Sequence, residues 1–249
     1  PSWRTGMALL NYYTAESNWD KVVETGKKYI RKYPDNYYIG LKYANGLCET
    51  RQYGSCISLL SKMQVLPNEG SYAGRAVYRA ANLYQAMDQF SKRRYDAVLK
   101  SIKASEEWPE NLGVGKPYDD QIDKRLEDYL EAKVYEKKGE TAKAQTLLDK
   151  VSSHPTSTRN FESAHLLTAL ALRATGKQAE ADKLVASWKK DFPESKPAQW
   201  CAAVYHGNMD QARELLSSRY ASNETTPWET GYRDTNFDLI ARLFSEVPR

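Results

Sequence analysis

Cysteine is scarce in this sequence and lacks the spacing of a metal site. Cys48, Cys56 and Cys201 are an odd number without a CxxC pair, so neither a zinc site nor a disulfide framework is indicated. Cys48 and Cys56 could meet across one helical hairpin, and whether they pair is left open. The compartment also stays open, although the leftover thiol favours reducing conditions, and so the cytoplasm over the periplasm.

Long apolar runs and a large excess of one charge are missing too. No segment reaches the length of a membrane span. The 36 basic and 32 acidic residues leave a net charge of only +4, and the basic pairs are scattered among acids, unlike the concentrated basic stripe of a nucleic-acid-binding protein. We therefore expect no membrane span and no DNA partner. The chain begins at Pro1-Ser2-Trp3 without Met or a signal sequence, and we interpret it as part of a longer chain.

Motifs for catalysis and cofactor binding are not found. None of the three histidines has a Cys or a second His three or four residues away, and no HExxH or GxSxG motif occurs. The stretch "GVGK" is not a P-loop, because Glu110 stands at the place of the first glycine and Pro117 at that of the hydroxyl residue. We expect no enzyme activity, cofactor, metal or nucleotide. Residues 109–118 are instead predicted to form an ordered surface loop on which Lys116 is exposed to a partner.

The residues that are present repeat with helical spacing. Apolar residues recur at intervals of three and four, and alternating β-branched runs are almost absent, so the chain is predicted to be all-α. "NWDKVVETGKKYIRKYPDN" from residue 18 aligns with "QYGSCISLLSKMQVLPNE" from residue 52 at a period of 34 residues. Later units follow at intervals of 42, 46, 37 and 31 residues if these turn markers are equivalent: Trp19, Tyr53, Tyr95, Thr141, Gln178 and Met209.

Each of the clearest units has the same order of features. It consists of a helix, a tight turn, an aromatic residue, a small residue three positions later and a closing proline. This arrangement resembles the tetratricopeptide-repeat (TPR) superfamily. The resemblance implies a right-handed α-solenoid of about five to six helix-turn-helix hairpins in a single domain, 1–249. The predicted units cover approximately 3–36, 37–71, 72–118, 119–158, 159–194 and 195–220, and a capping segment at 221–249 ends in an amphipathic helix from about Thr235 to Glu246.

A second resemblance concerns the middle of the chain. "WPENLGVGKP", followed by "RLEDYLEA", resembles the carboxy-terminal helical-repeat region of large uncharacterised bacterial multidomain proteins whose front half is β-rich. It implies a bacterial multidomain parent, and it implies no known activity.

The TPR resemblance also implies where a partner would bind. Members of the superfamily bind peptides or helices on a concave face. This face is formed by the second, fifth, ninth and twelfth places of the first helix in each unit. Asn11 and Asn45 fall on such places 34 residues apart, and two stacked amides could hold a peptide backbone in register. The other candidate contacts on these places are Tyr38, Tyr129, Lys133 and Arg173, and Lys116 joins them from the loop.

We therefore predict a non-catalytic interaction or scaffold module. Its partner would be a protein, a peptide or a helix, or a β-rich neighbouring domain of the same longer chain. The 18 tyrosines and six tryptophans leave an alternative open, namely a carbohydrate- or RNA-binding surface or an accessory domain of a larger carbohydrate-active protein. Most of these aromatic residues, however, occupy places that the repeat uses for packing.

Overall fold

Helices account for all the regular secondary structure in the residues that the structure describes, which confirms the all-α prediction. The structure is a computed structural model, and it describes residues 2–67, 72–156, 160–221 and 236–246. The α-helices are α1 (Trp3–Ala15), α2 (Trp19–Lys32), α3 (Tyr37–Glu49), α4 (Tyr53–Leu60), α5 (Ala73–Ser91), α6 (Tyr95–Ser105), α7 (Arg125–Lys138), α8 (Thr141–Ser152), α9 (His165–Ala174), α10 (Gln178–Asp191), α11 (Lys196–His206), α12 (Met209–Ala221) and α13 (Phe237–Glu246). Within these ranges no helix is both long and apolar enough to cross a bilayer.

One tight turn recurs within the described residues and joins six pairs of helices. Each turn has one residue with positive φ, and these residues are Ser17, Arg51, Arg93, Gly139, Gly176 and Gly207. In every turn the N–H of this left-handed residue donates to the carbonyl three residues before it. The N–H of the following residue donates to the carbonyl five residues before that residue, at 2.8 to 2.9 Å. This pair of bonds is the Schellman motif, which ends a helix with a left-handed residue.

The second helix of each pair begins two residues after the left-handed residue. Its first residue is one of the six turn markers that the sequence alignment treated as equivalent: Trp19, Tyr53, Tyr95, Thr141, Gln178 and Met209. The predicted intervals between hairpins are therefore confirmed. The right-handed solenoid arrangement and the single domain over 1–249 stay predictions.

The chain divides into two compact units, Pro1–Gln121 (unit 1) and Ile122–Arg249 (unit 2). Unit 1 holds the first three hairpins, and unit 2 holds the last three together with α13. We call the first helix of a hairpin its A helix and the second its B helix. In each unit every A helix contacts its own B helix and also the A helix of the next hairpin, so α1 packs on α3, α3 on α5, α7 on α9 and α9 on α11.

Unit 1 brings its helices together through glycines. A Cβ atom on Gly26 would lie 2.6 Å from Cβ of Tyr43, and one on Gly46 would lie 2.7 Å from Cγ1 of Val22. Both distances are shorter than a van der Waals contact, so α2 and α3 approach each other more closely than any larger residue would permit. Gly26 thus has a packing role.

The segment that interrupts the repeat is an ordered loop with a buried anchor. The one regular feature of residues 109–118 is a short 3₁₀ turn, Glu110–Leu112, and no continuous helix runs through the segment, so the prediction of an ordered loop is confirmed. The loop does not only lie on the surface, however, because Leu112 is fully buried in the core of unit 1. The Asn111 amide donates to the carbonyls of Leu60 at 2.8 Å and Met63 at 2.7 Å, which ties the loop to the end of α4.

All three cysteines are buried and free. Cys56 donates through Sγ to the carbonyl of Ala44 at 3.2 Å. A hydrogen bond with Cys48, followed by burial, raises the pKa of the Cys56 thiol. Cys48 and Cys56 therefore lie side by side across the α3–α4 hairpin as two thiols, without a disulfide bond.

Candidate interaction surfaces

The last helix, α13, packs on A helices of its own unit. The ring of Phe237, at its start, lies 5.2 Å from the ring of Trp200 on α11. The ring of Phe244, near its end, lies 6.4 Å from the ring of Tyr129 on α7. Ile240, between them, is fully buried. The predicted amphipathic helix is confirmed within 236–246, while Thr235 and the rest of the predicted capping segment, 222–234 and 247–249, lie outside the described residues.

The A-helix face of unit 2 is covered. Leu126 and Tyr129 on α7, and Leu166 and Leu170 on α9, occupy the places that the TPR resemblance assigns to a concave binding face, and all four are buried. Tyr129 is only 6% exposed and packs against Phe244. Burying an aromatic ring is favourable, and α13 already provides the apolar partner, so contact of Tyr129 with another protein stays a prediction.

Lys133 and Arg173 lie beside this covered face and contact residues of unit 2. Lys133 places its ammonium 5.3 Å from the centre of the Tyr129 ring and donates to Glu136 at 2.9 Å. Arg173 is exposed but reaches from α9 to α11, where its guanidinium lies 4.8 Å over the Tyr205 ring and donates to the Tyr205 carbonyl at 3.1 Å. Arg173 thus links α9 to α11, whereas these contacts of Lys133 stay within α7. Contact of either side chain with a partner stays a prediction.

Three of the corresponding places in unit 1 are exposed or half-buried. Asn11 on α1 is exposed, Asn45 on α3 is half-buried and Tyr38 on α3 is 52% exposed. Successive residues of a helix point in directions about 100° apart. Asn11 follows the buried Leu10 and Asn45 follows the buried Ala44, so each asparagine points about 100° away from a buried residue. Since α1 contacts α3, Asn11, Asn45 and Tyr38 lie on two neighbouring helices, and we predict that they form one surface. We call this surface the open A face.

The exposed apolar surface of the described residues belongs to unit 1. The large apolar side chains exposed there are Leu9, Tyr12, Tyr38, Leu66, Tyr72 and Tyr118. Around the axis of α1, Leu10 lies between Asn11 on one side and Leu9 on the other. Leu9 and Tyr12 therefore share the flank of α1 that faces away from the open A face. The sequence interpretation missed this pair, although the spacing of Gly6, Leu10 and Tyr13 on the inner side of α1 is a signal that could have identified it.

Lys116 is exposed, as predicted for the loop. Its ammonium forms an ion pair with Asp119 Oδ1 at 2.7 Å, and both side chains are at least half exposed. Such a pair contributes little to stability in water. A partner's carboxylate could therefore exchange with Asp119 at small cost, and this contact stays a prediction.

A buried polar network surrounds Arg125 in unit 2. The guanidinium is 2% exposed and donates to the Asp123 carboxylate through Nε at 3.0 Å and through Nη2 at 2.7 Å. It also donates to Glu162 Oε2 at 2.8 Å and to Thr168 Oγ1 at 3.3 Å. Because Arg125 begins α7, Glu162 precedes α9 and Thr168 lies within α9, the network ties the start of α7 to α9.

The network also fixes the protonation of its members. Burial acts to raise the pKa of Asp123, but the hydrogen bonds and charge of Arg125 outweigh it and hold that pKa below its ordinary value. Burial, aided by the charge of Arg125, lowers the pKa of His165 to about 4, so its ring is neutral near pH 7. His165 Nε2 lies 3.8 Å from Glu162 Oε2, too far for a hydrogen bond. In the described ranges no group of His, Cys, Asp and Glu side chains could hold a metal ion.

Comparison with known proteins gives no relative to which this chain can be assigned. No family model matches it, and neither does any curated protein or solved structure. The resemblance to the TPR superfamily, and that to the helical regions of bacterial multidomain proteins, therefore stay predictions from the sequence pattern.

Proposed function

We propose that the protein is a non-catalytic, TPR-like helical-repeat module whose unit 1 binds a helix or peptide of a protein partner on the open A face. The observation that supports this proposal is the difference between the two units. In unit 2 the same face of the A helices is occupied by an amphipathic helix of the chain itself, which buries Tyr129 on α7. In unit 1 the equivalent helices expose Asn11 and Tyr38.

The side chains of the open A face suit a peptide or helix. Asn11 and Asn45 each offer one carbonyl acceptor and two N–H donors, which can pair with the main chain or polar side chains of a bound segment. Tyr38 adds a broad apolar ring with a polar hydroxyl, a combination that is common in protein interfaces. Recognition of this kind uses a few apolar anchors for affinity and polar groups for register.

Capture of partners by the full chain tests this proposal. The native chain and a triple variant, Asn11→Ala, Asn45→Ala and Tyr38→Ala, are immobilised and incubated with extract, and the retained proteins are compared by mass spectrometry. Tyr118→Ala is the matched control, because it removes another exposed tyrosine of unit 1 from the loop and leaves the open A face intact. We expect a partner that the native chain and the control retain and the triple variant loses. If the folded triple variant retains every partner, the open A face is not the binding surface.

A further inference from the structure

We propose that α13 is an exchangeable ligand of unit 2. In this proposal the A-helix face of α7, α9 and α11 is a helix-binding groove that the chain closes with its own last helix. A partner gains access to the groove by displacing α13 with an amphipathic helix whose apolar residues have the same spacing. The proposal concerns unit 2 and does not depend on the function proposed for the open A face of unit 1.

The burial of α9 shows that this groove is covered. Residues 165–172 of α9 are all buried, so every side of the helix is in contact with other parts of the protein. The B helices α8 and α10 pack on α9, and the A helices α7 and α11 lie on either side of it. The remaining side carries Leu166 and Leu170. Since the two ends of α13 contact α11 and α7, which lie on either side of α9, we infer that α13 covers this remaining side.

The apolar pattern of α13 is that of a helix bound in a groove. Phe237, Ile240 and Phe244 follow one another at i, i+3 and i+7, the spacing of anchor residues in helices that lie in hydrophobic grooves. Phe237, Leu239, Ile240, Ala241 and Leu243 are buried and Phe244 is half-buried, whereas Asp238 and Ser245 are exposed. The burial of α13 thus defines its replacement, which is an amphipathic helix with two aromatic residues seven positions apart and several aliphatic residues between them.

The indole N–H of Trp200, a residue that α13 contacts, has no hydrogen-bond acceptor among the described residues. Trp200, whose ring contacts Phe237, is 1% exposed. A buried N–H without an acceptor is unfavourable. A competing helix that carries Asn, Gln, Asp or Ser beside its first aromatic anchor would offer that acceptor. Such an occupant would therefore make a hydrogen bond that α13 does not provide.

A labelled peptide of residues 236–246 tests the exchange on the full-length chain. The acceptor is the full chain carrying Ile240→Asp, which places a carboxylate in the groove and releases α13, while Ser245→Ala changes an exposed position of the same helix as the control. We expect saturable binding of the peptide to Ile240→Asp by fluorescence anisotropy, and weaker but saturable binding to the native chain and to Ser245→Ala, where the peptide must first displace α13. The same peptide carrying Ile240→Asp should bind at least about tenfold more weakly, because it buries a charge.

Each other outcome contradicts the proposal. Circular dichroism and hydrogen exchange of the Ile240→Asp chain show whether unit 2 stays folded without α13. If unit 2 unfolds, α13 is an integral part of the core and not a ligand. If unit 2 stays folded but the native peptide does not bind, or binds no better than the peptide carrying Ile240→Asp, the face is not a helix-binding groove.

Discussion

Units 1 and 2 use the same hairpin but stabilise it by different means. Unit 1 brings its helices together at glycines such as Gly26 and inserts Leu112 from a loop into its core, and its A helices expose Tyr38. Unit 2 covers its A helices with α13 and holds α7 to α9 through the buried Arg125 network. The shared turn geometry therefore specifies the hairpin, and the side chains around it decide which residues of the A helices stay exposed.

The first way to test this comparison is to remove Arg125. The variant Arg125→Ala leaves Asp123 and Glu162 without their shared cation, and breaking a buried ion pair costs about 3–5 kcal/mol. Both carboxylates are about one-third exposed, so we expect the lower end, a loss of about 3 kcal/mol. Urea unfolding measures the loss, and hydrogen exchange should place it in unit 2.

The control for this variant is another arginine of unit 2. Arg213 pairs with Asp210 at 3.3 Å on the exposed side of α12, and Arg213→Ala should change stability by less than about 0.5 kcal/mol. If Arg125→Ala costs no more than the control, the network is not what stabilises unit 2.

The pH dependence of stability should also separate the units. His165 is 1% exposed, and its pKa falls to about 4 in the folded chain from an ordinary value of 6.5. Below pH 6.5 the unfolded chain takes up a proton that the folded chain does not, so unit 2 loses stability as the pH falls towards 4. A shift of this size corresponds to about 3 kcal/mol. Asp123, whose pKa is lowered, adds to the loss only at still lower pH.

Unit 1 contains no histidine and is the internal reference for this measurement. Hydrogen exchange of the native chain at pH values from 7.5 to 4 should show protection falling in unit 2 before it falls in unit 1, after correction for the intrinsic exchange rate. In His165→Gln the loss between pH 6.5 and 4 should largely disappear. An unchanged pH profile in that variant would rule out His165 as its cause.

The sequence predicted the hairpins well because their signals are local. The first residues of the B helices, such as Trp19 and Met209, follow from turn residues and from helical spacing within a few positions. The burial of Tyr129 could not be found in this way, because the residue that covers it, Phe244, is more than a hundred positions away. Leu112 illustrates the same limit, since glycines and prolines indicate a loop but not the core contact of one residue within it.

The close packing of unit 1 gives the next prediction. Gly26→Ala would place its Cβ 2.6 Å from Cβ of Tyr43, an atom that cannot rotate away, so α2 and α3 must move apart. Overpacking of this kind costs up to about 3 kcal/mol, and the better helix propensity of alanine returns about 1 kcal/mol, so we expect a net loss of about 2 kcal/mol.

A second glycine of unit 1 separates these two effects. Gly54 lies on α4, and a Cβ there would meet nothing within 4 Å. Gly54→Ala should therefore raise stability by about 0.5–1 kcal/mol through helix propensity alone. Thermal unfolding of the two variants should give shifts of opposite sign, and a stabilising Gly26→Ala would show that α2 and α3 do not depend on close contact.

The smallest expected effects come from the turns themselves, where the two units differ most simply. The left-handed residues of the described hairpin turns are Ser17, Arg51 and Arg93 in unit 1, whereas those in unit 2 are all glycines. Only glycine adopts this conformation without steric cost, which is about 1–2 kcal/mol for other residues. The turns of unit 1 thus carry a cost that those of unit 2 avoid.

Exchanging the residue types should therefore have opposite effects in the two units. Ser17→Gly and Arg93→Gly, at φ 50° and 58°, should each stabilise unit 1 by about 0.5–1 kcal/mol, since relief of strain exceeds the added freedom of the unfolded chain. Gly139→Ala and Gly207→Ala, at φ 76° and 78°, should each destabilise unit 2 by about 1 kcal/mol. A Cβ at either glycine would meet nothing within 4 Å, so packing cannot account for the loss. Urea midpoints of the four variants measure the differences, and effects of the same sign in both units would mean that the turns are not equivalent.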